Sequence, residues 1–221
     1  LFEKAIELDP QYAEAYALLG WTYWIEWGFR WNADPKTMER ALALAQQALA
    51  LNDSLPTAHS LLGIVYVQKQ QYDQALAEGE RAVALDPNDA DSYAGQAQVL
   101  NLAGRPEEAL QSGEQAMRLN PRCPPWYLAN VGWAYRMTGR YAEAIATLKE
   151  SISQFPNFIY SYTQLAISYG LQWVSQQSPA GQTLEPAVAA VQRALALNDT
   201  AQVNHFTLGW IYLYQQQYEQ A

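Results

Sequence analysis

One short pattern recurs along the chain: Leu-Gly or Val-Gly, with Tyr three residues after the Gly. It stands at Leu19-Gly20 before Tyr23, Leu62-Gly63 before Tyr66, Val131-Gly132 before Tyr135 and Leu208-Gly209 before Tyr212. Weaker copies are Gln96-Ala97 before Leu100 and Leu165-Ala166 before Tyr169. An Ala follows twelve residues after the Gly position at Ala75, Ala109, Ala144 and Ala221, and Pro10, Pro87, Pro121 and Pro156 close copies. Pro87 to Pro121 is 34 residues and Pro121 to Pro156 is 35. A unit that short cannot bury a core by itself. Its copies must therefore stack, each covering a neighbour's apolar face.

Within a copy the spacing is helical. Tyr16, Leu19, Gly20 and Tyr23 fall at i, i+3, i+4 and i+7, one face of a 3.6-residue helix. The missing side chain at Gly20, Gly63, Gly132 and Gly209 lets a partner helix come close. Second helices are predicted to begin near Tyr72, Pro106 and Tyr141; Pro106 suits a first turn, where its absent N–H costs nothing. Gly104 and Gly139 stand between paired helices, where a left-handed cap is expected. Asp-Pro or Asn-Pro then ends the second helix, because the residue before Pro leaves the α region.

The predicted fold is all-α, built of antiparallel helix pairs in one continuous array over residues 1–221. Residues 1–12 and 202–221 are partial repeats, and 13–55, 56–89, 90–124, 125–158 and 159–201 are repeats. Repeats 13–55 and 159–201 each have 43 residues, and their starts lie 146 apart. At that offset Trp27 matches Trp173, His59 matches His205, and Gln70-Gln71-Tyr72 matches Gln216-Gln217-Tyr218. The extra residues, around 27–35 and 173–183, are expected to lengthen the first helix and form a protruding loop. Both ends fall inside helical patterns, so a segment of a longer protein is expected, with repeat ends that fray or self-associate.

These landmarks resemble the tetratricopeptide repeat, a helix–turn–helix unit of 34 residues. The resemblance covers the whole chain. It implies a right-handed α-solenoid whose first helices line a concave groove that receives a peptide.

Charge and composition narrow the chemistry. There are 13 Lys+Arg against 22 Asp+Glu, a net charge of −9. That argues against nucleic acid, which demands a positive field, and against an anionic membrane surface. No apolar run is long enough to span a bilayer. No signal peptide is expected from the first residues, and a cytoplasmic location is expected. The single Cys123 excludes an intrachain disulfide and a multi-cysteine zinc site. No phosphate-binding glycine loop, His-Glu-x-x-His or Gly-x-Ser-x-Gly motif occurs, so no enzyme, no cofactor and no metal are expected. His59 and His205 stand four residues before the Gly, where other copies carry Tyr16, Tyr93 and Tyr162, and read as interhelical packing residues. Asn52-Asp53-Ser54 and Asn198-Asp199-Thr200 fit a glycosylation acceptor but read as turn chemistry at helix ends.

The first helices carry a second apolar face. The residue after the Gly position is Trp21, Ile64, Gln98, Trp133, Ile167 or Trp210. Three residues further on stand Trp24, Val67, Asn101, Arg136, Gly170 and Leu213. Six before the Gly position stand Glu14, Thr57, Asp91, Trp126, Tyr160 and Val203. A helix apolar on two faces must bury the second against something, either a ligand or a neighbouring repeat. The resemblance makes Trp21, Trp24, Trp126, Trp133, Arg136, Tyr160, Phe206 and Trp210 the candidate partner-binding groove. Aromatics and Arg are also the residues enriched at binding hot spots. The Lys/Arg/Asn clamp with which some repeat subtypes hold acidic chaperone tails is missing, since the groove positions hold one Arg and almost no Lys. The expected function is a protein–protein interaction scaffold, its partner an apolar or aromatic-binding segment carrying positive charge.

A narrower group is also similar. Ala15 to Trp31, Glu39-Arg40-Ala41-Leu42, Asp86-Pro87-Asn88-Asp89 and Gly104-Arg105-Pro106-Glu107 resemble arrays C-terminal to bacterial class III adenylate/guanylate cyclases. That resemblance implies the regulatory arm of a bacterial signalling enzyme, with catalysis outside this segment.

Overall fold

The structure is a computed structural model that describes residues 1–28, 34, 36–175, 183–199 and 202–215. Every element among them is a helix. The chain divides into two compact units, Leu1–Pro121 and Arg122–Ala221. The first holds α1 (Phe2–Leu8), α2 (Ala13–Gly28), α3 (Thr37–Leu51), α4 (Pro56–Gln68), α5 (Tyr72–Leu85), α6 (Ala90–Leu102) and α7 (Pro106–Leu119). The second holds α8 (Pro125–Met137), α9 (Tyr141–Gln154), α10 (Ile159–Val174), α11 (Glu185–Leu197) and α12 (Gln202–Tyr214). Consecutive helices pair as α2/α3, α4/α5, α6/α7, α8/α9 and α10/α11, and first helices also touch the first helix of the next pair within each unit. This is the expected solenoid of helix pairs. The first helices start at Ala13, Pro56, Ala90, Pro125, Ile159 and Gln202, and the second helices at Tyr72, Pro106 and Tyr141.

Pair closeness comes from small residues. A Cβ on Gly132 would lie 2.7 Å from Leu148 Cγ, and one on Gly63 3.1 Å from the Ala75 carbonyl. Ala41 and Ala75 meet Gly20 and Gly63 from the second helices, and Ala41, Ala75, Ala109 and Ala144 are all fully buried or nearly so. Each turn inside a short pair is a Schellman cap. Arg105 N bonds Leu100 O at 2.8 Å and Gly104 N bonds Asn101 O at 3.2 Å, with Gly104 at φ +77°. The same two bonds recur around Gly139 (φ +76°) and around Gln70 (φ +59°), the one non-glycine in this conformation among the described residues.

A second recurring device explains why Tyr and His exchange four residues before the Gly. Tyr16 Oη donates to Pro10 O at 3.2 Å, and Tyr162 Oη to Pro156 O at 3.0 Å. His59 Nε2 donates to Asp53 O at 2.9 Å, and His205 Nε2 to Asp199 O at 2.6 Å. A carbonyl can only accept, so each histidine nitrogen is the donor. Both ring types carry a donor at similar reach and tie a first helix to the loop entering it. His59 is buried and also meets Glu78 Oε2 through Nδ1 at 2.5 Å, whereas His205 is exposed. Both histidines are thus structural.

The long repeats lengthen their first helices as expected. α2 and α10 run 16 residues, against 13 for α4, α6 and α8. Most of the expected protruding loops, together with Ala221 and the Gln216-Gln217-Tyr218 match, lies outside the described residues. Asn52 does serve a turn: its Oδ1 accepts from Ser54 N at 3.0 Å.

Candidate functional site: the first-helix seams

The eight candidate residues fall into two groups. Trp21 and Trp24 belong to the first unit, and Trp126, Trp133, Arg136, Tyr160, Phe206 and Trp210 to the second.

In the first unit, the second face of α2 is covered by α4. Trp21 and Trp24 pack against the buried cluster that holds Ile64 and Val67 of α4. Their rings meet edge to face at 5.4 Å. Trp21 Nε1 donates to Thr57 O at 3.2 Å, and Thr57 Oγ1 donates to Glu14 Oε1 at 3.3 Å. Trp24 Nε1 is buried and has no partner. Both indoles keep an exposed edge, so each is partly seam and partly surface.

In the second unit, α8 and α10 make a polar seam. Arg136 Nη2 donates to Gln164 Oε1 at 3.1 Å. Gln164, nearly buried, also hydrogen-bonds the side chain of Tyr160. Burial lowers the Arg136 pKa from its ordinary value, with Tyr160 and Tyr141 acting in the opposite sense. Burial likewise raises the Tyr160 phenol, opposed by Arg136 and by the Gln164 bond. Arg136 Nε is buried without a partner. Trp133 is partly exposed on α8, and Trp126 packs edge to face on Tyr127 at 4.5 Å.

Across α10, Trp210 of α12 lies on Gly170. A Cβ there would come within 2.9 Å of Trp210 Cη2. Trp210 also meets Tyr214 edge to face at 5.0 Å. Phe206 stands apart from these contacts, 76% exposed. The second apolar face is therefore buried largely by the next first helix, and one edge of the row stays open.

Sequence reasoning missed Gln164, which orients Arg136. A signal was present. Two residues before the Gly position stand Leu18, Leu61 and Gly95 in the first unit, but Asn130, Gln164 and Thr207 in the second. All three of these polar side chains are buried. A further buried bond joins Thr163 Oγ1 to Asn204 Oδ1 at 2.6 Å between α10 and α12.

No group of three or more His, Cys, Asp or Glu placed to hold a metal occurs among the described residues. No described helix is long and apolar enough to cross a membrane. Cys123 is buried, and desolvation pushes its thiol pKa up, the opposite of a reactive thiolate.

Antiparallel helix pairs at this period, joined along their first helices, define an α-helical repeat array. Models described as tetratricopeptide repeat match residues 1–26, 38–90, 60–124 and 130–157, more than half of the chain between them. The chain belongs to the tetratricopeptide-repeat family. That fold serves generally as a non-catalytic scaffold for protein or peptide partners.

Solved structures agree on the fold. YrrB, described as a tetratricopeptide-repeat protein with an unusual peptide-binding site, is 22% identical. The match covers 93% of this chain and 96% of that one, with a TM-score of 0.52. TTC0263 of Thermus thermophilus is 21% identical over 91% of this chain and 99% of that one, with a TM-score of 0.73. Human IFIT1, solved as a dimer with m7Gppp-AAAA, is 19% identical with a TM-score of 0.74. There the match covers 94% of this chain but 48% of IFIT1, so the chain spans about half of that protein. No curated protein matches the chain. The narrower resemblance to cyclase-linked arrays gains no support from the repeat models.

Proposed function

We propose that the chain is a protein–protein interaction scaffold that holds a peptide or extended partner segment along the open edges of its first helices. The contact residues are Trp21 and Trp24 in the first unit and Trp126, Trp133, Arg136, Tyr160, Phe206 and Trp210 in the second. One observation carries the reading: Trp21, Trp24, Arg136 and Trp210 are each held by a neighbouring first helix and stay partly exposed. Trp21, Trp24 and Trp210 are large rings already held by neighbouring side chains before a partner arrives. Binding then costs little side-chain entropy, which is how aromatic hot spots act.

The partner is a protein or peptide. Its segment is apolar, with positive charge outside the contact to suit a chain of net charge −9. The same charge weighs against a phosphate-rich ligand such as the capped RNA of IFIT1. The peptide-binding site named for YrrB is consistent with a peptide ligand on this fold.

The test is selection of twelve-residue peptides from a random phage-displayed library on the whole chain, followed by titration of the selected peptides. Trp133→Ala is expected to weaken binding about tenfold or more, the loss typical of a hot-spot aromatic. Unchanged binding removes this row from the site.

A further inference from the structure

Three features of the molecule are left unused by the scaffold reading. The first is an open apolar groove of about 370 Å³ among α9, α10 and α11, floored by Tyr162, Leu165 and Tyr169, with Lys149 Nζ 5.6 Å from the centre of the Tyr169 ring. Nothing in the structure indicates what would cover it. The second is the exposed apolar edge of α12. The third is Arg136, and it carries an inference.

Arg136 is a cation in an acidic chain, yet no carboxylate meets it among the described residues. Ion pairs there include Arg40–Asp34, His59–Glu78, Arg105–Glu108 and Arg140–Glu143. Arg136 has only the neutral Gln164 Oε1, and the titratable neighbours that bear on it are the phenols Tyr160 and Tyr141. A guanidinium stays charged at any working pH, so its desolvation is met by no counter-charge. Such a group is costly until an anion pairs with it.

The surroundings select the anion. The described seam offers one guanidinium and no other cation, which suits a single negative charge. A guanidinium meets a carboxylate with two parallel N–H···O bonds. Aromatic side chains belong to the same set of first helices. Trp133 lies one helical turn back on α8, and Trp210 lies on Gly170 across α10. A segment laid across these helices would then carry apolar side chains as well as its acid.

We propose that Arg136, oriented by Gln164, receives the carboxylate of an Asp or Glu side chain within an otherwise apolar partner segment. This rests on the scaffold reading and names the polar anchor of the same site.

The test uses the same peptide selection on the whole chain, with each Trp133-dependent peptide resynthesised in three forms: parent, Asp/Glu replaced by Asn/Gln, and C-terminal amide. The selected peptides are expected to share one acid among apolar residues. Neutralising that acid is expected to weaken binding to the native chain about tenfold or more and to leave binding to Arg136→Gln nearly unchanged. Amidation is expected to have little effect. Arg136→Lys, which keeps the charge, should retain part of the affinity, and thermal melts of both variants separate lost binding from lost folding.

Peptides that need Trp133 but carry no acid would overturn the proposal while the scaffold reading stands. So would equal losses on the native chain and on Arg136→Gln. Sensitivity to amidation alone would mean that a chain terminus is the ligand, and would also overturn it. A library yielding no Trp133-dependent peptide would overturn the scaffold reading and this proposal together.

Discussion

Replacing glycine by alanine should have opposite effects at two helix positions. Gly79, within α5, and Gly132, within α8, are both buried. Alanine gains about 0.8–1.0 kcal/mol of helix propensity over glycine at either place. The nearest atoms to a Cβ on Gly79 would be those of Gln96, at 3.6–3.8 Å, which is ordinary contact. Gly79→Ala should therefore stabilise by about 0.5–1 kcal/mol. A Cβ on Gly132 would lie 2.7, 2.9 and 3.3 Å from Cγ, Cδ2 and Cδ1 of Leu148. Leu148 is 0% exposed and packs in the core with Ile145, Leu165 and Val191, so it has nowhere to go. Overpacking of this kind costs about 1–3 kcal/mol, and contact at the branched Cγ puts it toward the upper end. After the propensity gain, Gly132→Ala should lose about 1–2 kcal/mol. Urea unfolding followed by far-ultraviolet circular dichroism measures both variants. The denaturant slope must be compared as well as the midpoint, because repeat arrays can unfold in parts. Leu148→Val in the Gly132→Ala background should recover part of the loss. Midpoints that move in the same direction for both variants would refute the reasoning.

Gly104→Ala should cost about 1–2 kcal/mol by forcing a side chain into the left-handed region, whereas Gln70→Gly at the equivalent cap should be neutral or stabilising; thermal melts check both. His59→Tyr should be less damaging than His59→Phe by about 1 kcal/mol, because only tyrosine can still donate to the Asp53 carbonyl, and equal losses in chemical denaturation would contradict that. Cys123 should react with a thiol reagent far more slowly in the folded chain than in urea. Its raised pKa means the folded state holds the proton more tightly, so this contribution to stability is present at neutral pH and lost as the pH rises through the alkaline range; Cys123→Ala should flatten that loss in a pH series of melts.

Much of the local structure was legible because its causes lie within one or two helical turns. Pro56, Pro106 and Pro125 open helices, Gly104 and Gly139 close them, and Ala41 and Ala75 meet the facing Gly20 and Gly63. The exchange of Tyr16 and Tyr162 for His59 and His205 could be read as structural from their shared register. Their common bond partner, a carbonyl six residues back, became visible only in three dimensions. Gln70 could not be read as a left-handed cap, because its residue type does not announce one; the Schellman bonds around it do.

Periodicity accounts for the repeat, the helix pairing, the two lengthened first helices and the residues that share the second face of each first helix. All of these are legible in one dimension, because they depend only on the rise and turn of a single helix. How much of that face remains open is a matter of packing between helices. Trp21 reaches Thr57, Arg136 reaches Gln164 and Thr163 reaches Asn204 across 36, 28 and 41 residues of chain. Whether an aromatic on such a face becomes core or surface depends on the side chain that the next helix presents. Gly170 admits Trp210 against the backbone of α10, while Gln164 meets Arg136 with a neutral oxygen and leaves its charge unpaired.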